Sequence, residues 1–374
     1  MSSKKWNPIK LGDALTLKRG YDLTHTDRKP GSIPVISSSG FSGFHHIAMV
    51  KGPGVVTGRY GTLGELFFVE QDFWPHNTTL YVKDFKGNDP RFIFYLLKTL
   101  NFGDKNDKTS VPGLNRNDLH LIEINLPPLP TQRRIASILT ALDDKIELNR
   151  RMNETLEGIA QALWGEWFGK YASGEVELPE GWITGTVFDI ANLIGGGTPK
   201  TGIPGYWDGN IPWISAKDTT PNNRQFIIET EKNISREGLV NSSAKLLPAY
   251  STVVSARGTV GNYCIISEEM AISQSNYAFK ASIENADFYL FHQIGNMVEE
   301  MKQRSYGTVF DTITTKTFSD IEIIIPPINV VQKFERVITP IYQMRLTCNK
   351  ESKLLGHIRE ILLPKLMKRE IELL

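Results

Sequence analysis

The chain repeats itself, and that constrains its fold more than any other feature of its 374 residues. Trp6, Asp13, Leu17 and Gly20 recur as Trp182, Asp189, Leu193 and Gly196, all at an offset of 176. Gly31, Ile33, Pro34, Ile36 and Ser37 recur as Gly209, Ile211, Pro212, Ile214 and Ser215 at 178. Val55, Val56 and Arg59 match Val253, Val254 and Arg257 at 198, while Gly61, Thr62 and Gly64 match Gly258, Thr259 and Gly261 at 197. Ile122, Glu123, Ile124, Pro127 and Pro128 match Ile321, Glu322, Ile323, Pro326 and Pro327 at 199. The order is collinear, so the second half carries 20 extra residues between Ser215 and Val253, among them the polar run 219–225 (TTPNNRQ). A repeated scaffold with dissimilar loops suggests two copies of one device aimed at different targets, because loops carry specificity while the scaffold positions them. Duplication followed by plain loop drift is the simpler alternative.

Each half reads as a block of short strands followed by a long helix. Segments 54–57, 66–69, 79–83 and 321–325 are β-branched or aromatic and bounded by Gly, Pro or Asn, whereas 92–100 and 289–301 have helical periodicity. The expected fold class is α/β (α+β), with prolines 127/128 and 326/327 closing the blocks. In the following helices, Ile135, Leu142, Asn149, Leu156 and Leu163 fall at heptad position a, with Ile138, Lys145, Met152, Ile159 and Glu166 at d. In the second copy Phe334, Ile341, Cys348, Leu355 and Leu362 fall at a, and Val337, Met344, Glu351, Ile358 and Lys365 at d. Matched heptads predict that the two helices pack on each other as an antiparallel coiled coil, with the blocks related by a pseudo-twofold axis. Thr131 suits the N-cap of the first helix, and Asn329 with Gln332 imitates a capping box for the second. Pro340 should kink the second helix. The expected domains are 1–129, a helix over 130–169, a linker over 170–179, a second block over 180–328 and a helix over 329–374. Ile135 to Leu163 spans about 42 Å at 1.5 Å per residue, close to one turn of duplex DNA at roughly 34 to 36 Å.

Charge does not advertise a nucleic-acid partner. With 42 Lys+Arg against 41 Asp+Glu, net +1, a strong lone polyanion binder is excluded. The sequence has 40% hydrophobic residues and mean hydropathy −0.23, and it shows no apolar stretch of membrane-spanning length and no signal-like start, which predicts a cytoplasmic protein. Cys264 and Cys348 form neither a disulfide framework nor a zinc spacing. There is no GxxxxGK[ST], HExxH or GxSxG. The glycine-rich 195–201 (GGGTPKT) reads as a turn, and Glu300-Met301-Lys302 lacks the acidic partner of a nuclease ExK. No catalytic residue and no metal site are expected.

The remaining candidates suit base edges and phosphates. Arg59 (with Tyr60) and Arg257 lie in glycine turns that allow close backbone approach, and Arg can bond a guanine edge or a phosphate bidentately. Further DNA-binding candidates are Lys18, Arg19, Arg28, Lys29, His45, His46, Asn115, Arg116, Asn117 and Lys200. Asn222, Asn223, Arg224, Gln225, Gln274, Ser275, Asn276, Lys302, Arg304 and Tyr306 complete the set. For each, a solvated or structural surface role is the plainer reading.

Several stretches together resemble a known family. They are GGGTP (195–199), GNIPWIS (209–215), ARGTVG (256–261), LPPLPTQRRIASILTALDDKI (126–146), ALWGEWF (162–168), LPEGW (178–182) and ILLPKLM (361–367). Taken in their order along the chain, they resemble the specificity subunits of type I restriction-modification systems. The resemblance implies two target-recognition domains, each reading one part of a split asymmetric site in double-stranded DNA, with the helices setting the spacing. It also implies assembly with two modification (methyltransferase) subunits and with restriction (translocase and endonuclease) subunits. S-adenosylmethionine, ATP and Mg would be bound by those partners, and this chain would be non-catalytic with no membrane contact. A detached specificity module of a fused restriction-methylation enzyme is an alternative, as is a coiled-coil scaffold with two protein-binding heads.

Overall fold

The computed structural model of the chain describes residues 6–100, 102, 113–172, 176–304 and 312–371. Two compact units form: residues 1–146 with 354–374, and residues 147–353. Each long helix contributes to both.

The first unit contains β1 (Asn7–Lys10), α1 (Leu11–Ala14), β2 (Thr16–Arg19), β3 (Ile33–Ser37), β4 (Gly40–His45), β5 (Gly54–Gly58), β6 (Leu66–Val69), β7 (Trp74–Pro75) and β8 (Thr79–Asp84). α2 (Pro90–Lys98), α3 (Arg116–His120), β9 (Glu123–Leu126) and the start of α4 (Leu129–Trp164) follow. The main sheet has the order β2-β8-β5-β6, and a smaller one β4-β3-β7. Period-two alternation divides the main sheet between two cores. Val55, Leu80 and Val82 face α2 through Phe92, Ile93 and Leu96, whereas Val56, Val69 and Tyr81 face the small sheet through Ile36 and Phe73. Burial on both faces is why β5 and β8 read as nearly unbroken apolar runs. Asp89 caps α2, its side chain accepting from Phe92 N, and Pro90 occupies the first turn, where its missing N–H costs nothing.

The second unit continues through α5 (Lys170–Ala172), β10 (Ile183–Gly185), β11 (Ala191–Gly195), β12 (Trp207–Ile214), α6 (Ala216–Thr219), β13 (Phe226–Ile227), β14 (Lys232–Ile234), α7 (Arg236–Val240) and β15 (Leu246–Leu247). β16 (Thr252–Ser255), β17 (Tyr263–Ile266), β18 (Met270–Ile272), β19 (Asn276–Ala281), α8 (Asp287–Arg304), α9 (Thr315–Ser319), β20 (Ile323–Ile325) and α10 (Ile328–Met367) complete it. Its sheets, β11-β19-β16-β17-β13 and β14-β12-β18-β15, repeat those of the first unit with one strand added to each. The insertion supplies both: β13 pairs with β17 and β15 with β18.

Strand register corrects one detail of the repeat. Val55 pairs with Phe68 and Val56 with Tyr81, while Thr252 pairs with Ile265 and Val253 with Ala278. The offset is therefore 197 through the sheet, not 198. Val56 corresponds to Val253, and Tyr60 rather than Arg59 corresponds to Arg257. Two adjacent valines in each strand make both alignments look equal in sequence, but a slip of one residue would exchange the faces of the sheet.

Within each unit the long helices pair antiparallel. In the second, Asn149 Nδ2 donates to Cys348 O (3.4 Å) and Glu351 Oε2 (2.9 Å), Asn153 bonds Asn349, and Arg345 Nη2 meets Glu157 Oε2 at 3.2 Å. In the first, Arg359 Nη1 meets Asp143 Oδ1 at 2.5 Å, and Leu366 and Met367 join the core around Ile135 and Leu139. The expected a positions are all buried or half-buried, but most of the expected d positions face solvent. Ile138, Met152, Ile159, Val337 and Met344 are exposed, and Leu139, Asn153, Ala160, Ile338 and Arg345 are buried in their place. The stripe runs a to a+4, so the positions taken as a behave as d.

The expected caps also move. α4 begins at Leu129 and α10 at Ile328, so Thr131, Asn329 and Gln332 lie inside helices. Gln132 instead ties α4 to the start of α2: its Oε1 accepts from Asp89 N (2.9 Å), and its Nε2 donates to Asn88 Oδ1 (2.8 Å) and Pro127 O (2.9 Å). In the second unit Glu335 takes that task, accepting from Phe288 N (3.1 Å) and Tyr289 N (3.0 Å) at the start of α8. α10 passes through Pro340 as one helix. Among the described residues no helix is long and apolar enough to cross a membrane.

Candidate nucleic-acid interface

At one end of each main sheet several chain segments converge, and the backbone bonds that join them are repeated. In the first unit Gly58 N donates to Glu65 O (3.0 Å), Arg59 N to Thr78 O (2.8 Å), His76 N to Ile36 O (2.8 Å), Tyr21 N to Pro75 O (2.8 Å) and Leu114 N to Arg59 O (3.1 Å). In the second, Ser255 N donates to Asn262 O (2.8 Å), Ala256 N to Ser275 O (2.9 Å), Ser273 N to Ile214 O (2.9 Å), Gly197 N to Ile272 O (3.0 Å) and Ile313 N to Ala256 O (3.0 Å). Glycine permits the tightest approach in both. A Cβ on Gly20 would lie 2.1 Å from His76 O, and one on Gly196 would lie 2.2 Å from Ser273 O. Gly61 and Gly258 turn the next loop with φ of +80° and +82°.

On this shared frame the side chains differ. Arg59 and Tyr60 stand where the second unit has Ala256 and Arg257, and His76, Asn77 and Thr78 stand where it has Ser273, Gln274 and Ser275. Tyr60, Arg257 and Gln274 are exposed; Arg59 is half-buried with its guanidinium 4.5 Å from the Tyr60 ring centroid. His76 to Thr78 escaped the reading of the sequence. Their signal is the 197 offset to Ser273, Gln274 and Ser275, hidden because PHNTTL (75–80) and ISQSNY (272–277) share no letters in register.

The other candidates fall into three groups. Lys18 Nζ meets Tyr21 OH (3.2 Å), Arg19 pairs with Asp22 (3.3 Å), and Asn115 caps α3 with Arg116 and Asn117 exposed beside it, all on or next to the convergent segments. Lys200, Lys29 and His46 are also exposed. A second group is committed to the protein itself. His45 is buried, its Nδ1 accepting from Lys29 N (3.2 Å), and burial first, then His46, Lys29 and Arg28, pushes its pKa below the usual imidazole value. Arg28 bonds Ser42 O, and Asn276 is buried with its amide on Ile214 O (3.3 Å) and Ser273 Oγ (3.1 Å). The half-buried run 222–225 is bonded within the protein as well. Asn222 donates to Asp218 O, Asn223 accepts from Tyr263 N, Arg224 pairs with Glu299 (2.8 Å), and Gln225 donates to Glu157 (3.1 Å). The third group lies beyond view: Lys302 and Arg304 sit on α8 with side chains outside the described residues, and Tyr306 is outside them altogether.

The arrangement presents two sets of polar and aromatic side chains on one rigid backbone design. Comparison with known proteins agrees with the duplication. A family model described as the type I restriction modification DNA specificity domain matches residues 3–158 and again 179–354. The HindI type I restriction enzyme specificity subunit of Haemophilus influenzae is 28% identical over 357 residues, covering 75% of this chain and 77% of its own. The MjaIX specificity subunit of Methanocaldococcus jannaschii is 25% identical over 301 residues, covering 75% and 68%. The crystal structure of a type I restriction-modification S subunit from M. genitalium superposes with a TM-score of 0.69 at 16% identity, over 100% of this chain and 98% of that one, a likeness of fold.

Proposed function

The chain belongs to the type I restriction-modification DNA specificity family, and from that premise we propose that it reads a bipartite DNA target, one half-site per unit, and positions partner subunits on it. The observation that carries this reading is the doubled segment cluster, whose backbone bonds are conserved between the copies while the side chains they hold are replaced. A frame of this kind keeps docking geometry constant and lets specificity vary, because base-edge contacts specify whereas backbone contacts position.

The partners are two modification subunits, with restriction subunits joining them. Apolar side chains left outside the helical seam support their docking. The second unit exposes Met152, Ile159, Val337 and Met344 along its paired helices, and the first exposes Ile138, Leu354 and Ile361. Contiguous exposed apolar groups on a soluble protein mark interaction surfaces. The chain itself performs no chemistry; S-adenosylmethionine, ATP and Mg belong to the partners. Near-neutral net charge fits this division of labour, with partners adding to the phosphate grip.

Methylome sequencing of a host with and without the chain tests the reading. A split motif, methylated on both strands and lost on deletion, is expected. A methylome unchanged by the deletion, in a host that carries active modification subunits, overturns it.

A further inference from the structure

One feature of the first unit is used neither by its core nor by the shared segment cluster. Phe41 and Phe44, on the edge strand β4, are 59% and 52% exposed, with ring centroids 5.0 Å apart in an edge-to-face pair. Residues three apart on a regular strand point to opposite faces. Here Ile36 pairs with Phe41 and Pro34 with Phe44, so one residue of β3 stands opposite two of β4, and this bulge brings both rings to one side. Glycine and arginine hold the bulge. Gly43 has φ +118°, and the Arg28 guanidinium donates to Ser42 O (2.5 Å) and Ser42 Oγ (3.4 Å) directly behind it.

Two observations say that the pair is not scaffold. In the second unit Pro212 pairs with Asn233, so the equivalent hairpin folds with a polar residue in the place of Phe44. The hairpin also springs from the segment cluster: in the turn between β3 and β4, Ser38 N donates to Thr78 Oγ1 (3.2 Å). Arg28, Lys29 and His46 lie around the strand, with Asp27 held in its own turn by Thr24. An exposed aromatic pair beside Arg28 and Lys29, attached to the segment cluster proposed above to read DNA, has the chemistry of a stacking wedge, which exposed bases satisfy.

We propose that Phe41 and Phe44 form an aromatic wedge that partly unstacks one base step in the half-site read by the first unit. The inference rests on the DNA-reading function proposed above and adds a component of specificity beyond hydrogen bonding. A wedge favours easily unstacked pyrimidine–purine steps, so the first half-site contains or adjoins such a step, whereas the second is read without one.

The test uses the full chain assembled with its modification subunits and a duplex of about 30 base pairs carrying the methylome-defined motif. 2-Aminopurine is placed in turn at each purine of the first half-site other than the methylated base. The wild type should raise its fluorescence at one step; F41A/F44A should abolish the rise and weaken binding about tenfold. F44N, which installs the residue of the second unit, should behave like the double variant and keeps the test valid if F41A/F44A is unstable. Unchanged fluorescence and affinity in a folded variant overturn the wedge, as does a wild-type complex that binds tightly with no fluorescent step, and in both cases DNA reading stands. Loss of modification subunits with DNA unstacking intact overturns it in favour of a protein-docking face. Failure of the wild type to prefer the motif over random duplex would instead strike the DNA-reading function itself.

Discussion

Arg345 is the residue whose removal should say most about how the second unit is held to its helices. Its side chain is 2% exposed and pairs with Glu157, which is 20% exposed, at 3.2 Å. The same Nη2 donates to Arg224 O (3.0 Å) and Gln225 Oε1 (3.4 Å), and Gln225 Nε2 donates back to Glu157 (3.1 Å). Arg345 therefore fastens the segment leading into β13, the strand that the insertion adds, to the helical seam. Removing one member of a buried pair typically costs about 3 to 5 kcal/mol, because the other charge stays desolvated. Glu157 keeps some water, which puts Arg345→Met at the low end, about 3 kcal/mol. For a unit of about 200 residues that is a fall in melting temperature of roughly 6 to 12 °C. Calorimetry of the full chain reads the midpoint, and hydrogen exchange at Phe226 and Ile227 assigns the loss to β13. The double variant E157L/R345M should recover most of the loss, since a packed apolar pair replaces a buried ion pair at little net cost. If the two single effects simply add in the double variant, with coupling below about 0.5 kcal/mol, the bolt does not exist and Arg345 acts through packing alone.

Glu335 gives the second unit a pH dependence. Burial raises its carboxyl pKa to about 7 despite the two backbone amides it accepts from. An acid whose folded value lies above its unfolded value of about 4.3 stabilises fully below the latter and loses that contribution as pH rises through 7, here up to about 4 kcal/mol. Melting of the wild type should drop between pH 5 and 7.5 by more than that of E335Q; equal slopes refute the assignment. R257A and Q274A should each relax base preference in one half-site by about 1 to 3 kcal/mol, while R59A and N77A relax the other. Selection of bound sequences from a random pool separates this from uniform weakening, which marks phosphate contacts. Inserting one heptad after Ile146 and one after Lys353, where the two units divide each helix, should lengthen the spacer of the methylated motif by roughly 3 base pairs, from about 10.5 Å of helix at 3.4 Å per base pair. An unchanged spacer means the helices are not the ruler.

What the sequence disclosed and what it hid divide along a physical line. Repeated glycines and prolines were legible because their backbone demands are absolute: Gly20 and Gly196 admit no Cβ, and the doubled prolines end β9 and β20. Features that depend on what lies across the contact were not. Ile135 is followed by both Ile138 and Leu139, and Phe334 by both Val337 and Ile338, so a seven-residue count fits either stripe. The true seam also contains Asn153 and Arg345, which a count of apolar residues passes over because their partners, Asn349 and Glu157, sit on the other helix. The polar run 222–225 has its partners across the fold as well, since its half-buried side chains bond neighbouring segments. In both copies, then, polarity in the sequence marks two opposite fates. Polar groups bonded across the fold hold its position and cannot change alone, whereas Arg257 and Gln274 extend exposed from the repeated backbone bonds. On the function proposed above, replacement at those positions would alter what a unit reads without altering how it folds, and that independence would let one duplicated scaffold serve two half-sites.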